Sequence, residues 1–196
     1  RVLITALLLA LLSSYTNAAK IYDLTEGNYV IPDHFNEPYF FDADILSTYN
    51  DVAVSMINNF GTSSISTFNV FDDSQLFMYA GYISELNLYD NASAELYGGT
   101  INKLRIGCIL TAKGDWIVDP ESTAQVTIYA RDVRFSPDTP PPAGYTGSLM
   151  GYWLANNEPF HIGLYGPDTY SHITIVPEPA SIAFIALGGL ALLRRR

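Results

Sequence analysis

A period of eighteen residues in the middle of the chain restricts the fold more than any other feature. The run Phe68-Asn-Val-Phe-Asp-Asp-Ser-Gln-Leu-Phe-Met-Tyr-Ala-Gly-Tyr-Ile83 aligns with Leu86-Asn-Leu-Tyr-Asp-Asn-Ala-Ser-Ala-Glu-Leu-Tyr-Gly-Gly-Thr-Ile101. The frame makes Ile65, Ile83 and Ile101 equivalent, likewise Phe68, Leu86 and Leu104, and Val70, Leu88 and Ile106; upstream, Val52 falls in frame with Val70. Each unit reads as two short alternating strands, about 68–71 and 76–79, joined at Asp72-Asp73-Ser74 and closed by Ala80-Gly81. Alternation turns Val70, Leu76 and Met78 inward in one unit, and Leu88, Ala94 and Leu96 in the next. A unit this short cannot bury its own apolar face, so copies must stack. The expected fold is therefore mainly β, a short right-handed parallel β-solenoid with equivalent residues about 4.8 Å apart.

Gln125-Val-Thr-Ile-Tyr-Ala-Arg-Asp-Val133 matches Gln75–Ile83, but lies thirty-two residues after the second copy. An insertion of fourteen residues near 107–121, carrying Lys113, Asp115, Trp116 and Asp119, should project from one coil, with Cys108–Leu110 as a candidate strand inside it. The solenoid is expected over 49–135, preceded by a lead-in or cap at 20–48 with strands near Tyr29–Ile31 and Tyr39–Phe41. A stiff proline-rich connection follows at 136–147. Strands at Ser148–Leu154, Phe160–Tyr165 and Tyr170–Val176, within 148–176, would close the open end.

Charge narrows the partners. Lys20 to Leu193 holds six lysines and arginines against twenty aspartates and glutamates, a formal charge of -14, which excludes nucleic acid as a partner because phosphate binding needs clustered cations. Cations and neutral glycans remain. Cys108 is the single cysteine, so no intrachain disulfide exists, and it reads as a small buried hydrophobe. No nucleophile elbow, P-loop, H-E-x-x-H or zinc-type cysteine pair occurs. His34 lies near Asp33 and Glu37 without a third strong ligand, and His161 and His172 sit on neighbouring terminal strands with no nucleophile. No catalytic residues are assigned.

Stacked coils would place Asp72 over Asp90 and Asp73 over Asn91. Either Ca²⁺ sits along this turn ladder, held by hard oxygen ligands, or Asp and Asn cap tight turns through their own side chains. The second reading is simpler, since the glycine-rich nonapeptide of calcium-binding β-rolls is absent; no other cofactor is expected. Polysaccharide-active β-helix enzymes also use paired carboxylates, which makes Asp72, Asp73 and Asp90 the residues of an enzymatic alternative. On the outer surface Phe71 would lie over Tyr89, and Tyr79 over Tyr97 and Tyr129. Such columns suit sugar rings, as in a carbohydrate-binding surface module, and are also what half-buried strand surfaces prefer.

The two ends read as addresses. Arg1–Ala19 has the apolar core and small residues of a Sec signal peptide lacking its start, an N-terminal signal helix that implies the Sec translocon and signal peptidase as partners. At the other end Val176-Pro-Glu-Pro precedes an uncharged apolar run, Ala180–Leu193, and then Arg194, Arg195 and Arg196. As a transmembrane helix the run would be only about 21 Å long, short against a hydrocarbon core of roughly 30 Å. The arginines act as a stop-transfer signal and stay cytoplasmic. An ordinary single-span anchor is the alternative reading.

The order Pro177, Glu178, Pro179, short apolar helix and basic cluster, over 177–196, resembles the PEP-CTERM sorting signal of Gram-negative envelope proteins. The resemblance implies an exosortase, a membrane-embedded enzyme with a cysteine nucleophile, as the partner that processes the motif. It also implies an inner-membrane intermediate, a final place in the envelope or extracellular matrix, and an association with exopolysaccharide. The body would then be structural or adhesive and not an enzyme.

Overall fold

In the computed structural model, residues 21–31, 45–57, 64–136 and 147–177 are described. The signal-peptide segment, His34 with Asp33 and Glu37, the expected strand at Tyr39–Phe41, most of the proline-rich connection, and everything from Glu178 to Arg196 lie outside them.

Alternating apolar positions make strands throughout the described chain, and turn residues set their length. One parallel ladder joins β1 (Ile21–Leu24), β3 (Ile45–Thr48), β5 (Ser64–Val70), β7 (Tyr82–Leu88) and β9 (Thr100–Ile106) in that order. A second joins β2 (Asn28–Ile31), β4 (Ala53–Met56), β6 (Gln75–Met78), β8 (Ser93–Leu96) and the first half of β12 (Gln125–Ser136). Between them in sequence, β10 (Cys108–Leu110) and β11 (Trp116–Val118) form a separate antiparallel hairpin. Finally β13 (Gly147–Trp153) and β14 (Pro159–Leu164) form an antiparallel pair that bridges β12 to β9, and β15 (Ile173–Val176) adds in parallel to β12. The molecule is mainly β, a curled mixed sheet whose two ladders meet over one core.

Pairing follows the sequence period where the period is regular. Ile65 pairs with Ile83 and Ile83 with Ile101; Val70 pairs with Leu88 and Leu88 with Ile106. In the second ladder Leu76 pairs with Ala94 and Met78 with Leu96. The six residues read as inward-facing are all buried. Gln125 pairs with Ser93, so the fourteen extra residues leave the register intact and are extruded as the β10–β11 hairpin.

Upstream the frame differs from the sequence reading. Thr48, not Val52, pairs with Val70, and Ala53 pairs with Gln75, a spacing of twenty-two. The four extra residues fall between Met56 and Ser64, where later units need only three residues to turn. Val52 still needed burial and finds it at a corner, in the column Val52, Ser74, Ala92 and Ala124, each with no exposed surface. β1 and β2 carry the parallel pairing back to Ile21. The expected strand Tyr170–Val176 is shorter: Thr169–His172 form a 3-10 turn, and only β15 is extended.

Ala80-Gly81 turns the chain between ladders, and Gly98-Gly99 does so one unit later, with φ of 98° at Gly81 and 88° at Gly99. A Cβ at Gly99 would come within 2.9 Å of the Gly81 carbonyl oxygen. The equivalent positions in β12 are Ala130-Arg131, and an arginine resists that backbone conformation. The strand therefore runs straight on and enters the closing hairpin through a bulge between Arg131 and Arg134. Trp153 seals this end: it is buried, lies 4.4 Å from the Phe160 ring, and donates its indole N–H to the Gly99 carbonyl at 3.0 Å.

Candidate functional site

The turn ladder contains the aspartates selected from the sequence, with one more member. Asn50, Asp72 and Asp90 occupy equivalent corners with φ of 60°, 54° and 52°, a left-handed conformation that Asn and Asp tolerate better than other side chains. The Asp90 carboxylate accepts a hydrogen bond from the Asp72 backbone N–H at 3.3 Å, and Asp72 accepts from the Asn50 N–H at 2.9 Å. Each carboxylate thus caps the turn of the preceding unit. The ladder ends where Ser122 donates to the Asp90 carbonyl and Thr123 to Asn91 Oδ1, both at 2.8 Å. Asp73 is exposed. Among the described residues no three His, Cys, Asp or Glu side chains converge into a cation cage. Asn50 escaped the sequence reading because its unit is twenty-two residues long, so an eighteen-residue frame misses it.

The aromatic columns form as face-to-face stacks. Ring centroids lie 5.0 Å apart for Tyr49 and Phe71 and 4.6 Å for Phe71 and Tyr89. On the opposite ladder they lie 4.7 Å apart for Tyr79 and Tyr97 and 4.2 Å for Tyr97 and Tyr129. Sugar binding uses an open aromatic face. Phe71 and Tyr97 have both faces covered, and Tyr79 and Tyr89 one each, so the columns present mostly ring edges to solvent. The Tyr97 and Tyr129 hydroxyls both donate to Glu95 Oε2. That hydrogen bond to Glu95, joined by one to Tyr129, pushes the Tyr97 ionisation far above its ordinary value of 10.0. Burial pushes Tyr89 up as well.

A polar row on the first ladder went unnoticed in the sequence. Arg105 Nη1 donates to Glu85 at 2.7 Å and to Asn87 Oδ1 at 2.8 Å, and Asn87 donates to Asn69 Oδ1 at 3.0 Å. Trp116, from the extruded hairpin, lays its ring 3.7 Å from the guanidinium carbon. Asn69, Asn87 and Arg105 are spaced by eighteen, which was the available signal. Beside them Cys108 is buried, with its S–H within reach of the Ile106 and Pro167 carbonyls. Burial raises the Cys108 pKa, which disfavours the thiolate a nucleophile needs.

The two histidines are not brought together. His161 is exposed on β14, whereas His172 turns its Nδ1 to the Ala124 carbonyl at 2.8 Å. Of the sorting motif only Pro177 is described; it is exposed and follows β15 directly. Among the described residues no helix is long and apolar enough to cross a membrane. Compared with known proteins, the chain matches no family model, no curated sequence and no solved structure.

Proposed function

We propose that this chain is an exported envelope or extracellular-matrix protein of a Gram-negative bacterium. In this reading it is sorted through its Pro-Glu-Pro signal by an exosortase and carries a body with a structural or adhesive role. The observation that carries the reading is where the last described strand ends. β15 ends at Val176, paired with Tyr129, and the motif begins at the next residue. Cleavage at or after Pro177 would free a body with every described strand intact, as a processing signal requires. The body itself is read as a short right-handed parallel β-solenoid, supported by parallel pairing with a spacing of eighteen from β5 through β7 to β9 and from β6 to β8. Capped turns and stacked, edge-on aromatics suit passive structure better than turnover.

The test is the intact mass and cell fraction of the mature protein, with and without the exosortase, alongside Glu178→Ala. A released body ending near 176–179, lost in both backgrounds, is the expected result. A full-length membrane-bound product indifferent to both changes would leave an ordinary anchor and end the proposal.

A further inference from the structure

The outer face of the closing hairpin gathers chemistry that the ladders lack. Arg134 pairs with Met150 and Met150 with His161 across one row; Arg131 pairs with Tyr152 and Tyr152 with Pro159 across the next. Residues three apart in a regular strand face opposite sides of the sheet. The bulge at Asp132, with φ of 53°, supplies the extra residue that brings Arg131 and Arg134 to one side. Met150 and Tyr152 remain 39% and 41% exposed there. Asp132, Arg134, Met150, Tyr152, Pro159 and His161 line a half-open hollow of about 670 Å³ on this face.

The lining of the cleft sets one cation, Arg134, against one anion, Asp132, within a body of formal charge -14. Two of the six cations between Lys20 and Leu193 lie on this face. Arg131 is engaged, through Asn157, through Asp132 at 3.3 Å, and by lying 5.3 Å from the Tyr152 ring centre. The Arg134 side chain makes no hydrogen bond or ion pair among the described residues. Its guanidinium matches a carboxylate in two-point geometry. Beside it the Met150 and Tyr152 surface accepts the apolar face of a ring, while Asp132, bonded through Oδ2 only, asks for a hydroxyl donor.

We propose that this cleft binds an acidic saccharide, with the carboxylate of a uronic-acid ring on Arg134, the ring against Tyr152 and Met150, and a hydroxyl donating to Asp132. An acidic peptide would satisfy Arg134 but supply no row of hydroxyls for Asp132. A neutral sugar would leave Arg134 unmatched. The site is separate from the stacked columns and stands independently of the sorting signal.

The experiment is equilibrium binding of tetragalacturonate to the full chain in detergent, against neutral galactotetraose and polyglutamate at matched ionic strength. Melting temperature serves as the check on folding. Saturable binding of the uronate alone is expected. Arg134→Gln and Tyr152→Ala should each weaken it tenfold or more, whereas Tyr79→Ala should leave it unchanged. Should Tyr152→Ala melt early, Met150→Glu, which sets a carboxylate beside Arg134 on an exposed position, should abolish binding without lowering the melting temperature. No saturable uronate binding, equal binding of polyglutamate, or indifference to Arg134→Gln would each overturn the proposal.

Discussion

At the scale of single residues, side chains in this protein answer local backbone needs before any ligand. Asp72 and Asp90 carry left-handed φ, and one oxygen of each carboxylate accepts from the amide one unit away. Tyr97 shows the same economy. Its hydroxyl stays protonated because the Glu95 carboxylate accepts its hydrogen bond, and losing the proton would set two negative charges together. The folded-state pKa therefore lies above the unfolded value. Stability from this contact is fully present below about pH 10, where the unfolded tyrosine titrates, and is lost as pH rises beyond it, because the unfolded chain releases the proton first. Tyrosinate absorbance during alkaline titration should show late hydroxyls at Tyr89 and, with the larger delay, at Tyr97. Glu95→Gln should lower the Tyr97 midpoint; an unchanged midpoint would show that Glu95 is not the cause.

At the scale of elements, the β10–β11 hairpin is an addition that became a clasp. Removing 108–121 would put Ser122 directly after Gly107, restoring the spacing of eighteen that joins Tyr89 to Asp90 in the unit before. The strands on either side keep their register with the insertion present, so the deletion variant should retain a β-type circular dichroism spectrum and a single cooperative transition. It should also melt earlier, since Arg105 loses Trp116 and the 165–172 segment loses Cys108; the cation–π contact alone is worth about 1–2 kcal/mol when partly desolvated. A variant that fails to unfold cooperatively would show the hairpin to be integral to the coil. Trp116 was visible in the sequence only as part of an insertion. Its partner was not, because contact between a projecting hairpin and the ladder beneath it depends on how the hairpin leans, which no spacing encodes.

At the scale of the whole molecule, charge and packing act in opposite directions. A body with a formal charge of -14 between Lys20 and Leu193 repels itself, and salt should relieve that repulsion. Calcium is expected to raise the melting temperature no further than sodium chloride of matched ionic strength, because the turn carboxylates already accept backbone N–H groups. A saturable rise specific to calcium would restore the cation ladder.

By itself the sequence determined the β character, the inward columns, the stacked aromatics and the size of the insertion. All of these follow from a period of two within strands and a period of eighteen between them, and both periods are local arithmetic. Tertiary structure alone decided the twenty-two-residue spacing at Val52, the straight passage of β12 into its hairpin, the Arg105–Trp116 clasp and the cleft around Arg134. Each of these depends on how a corner is turned. A corner is set by whether a residue such as Arg131 accepts the backbone angle that Gly81 and Gly99 adopt, and by what the chain meets when it does not.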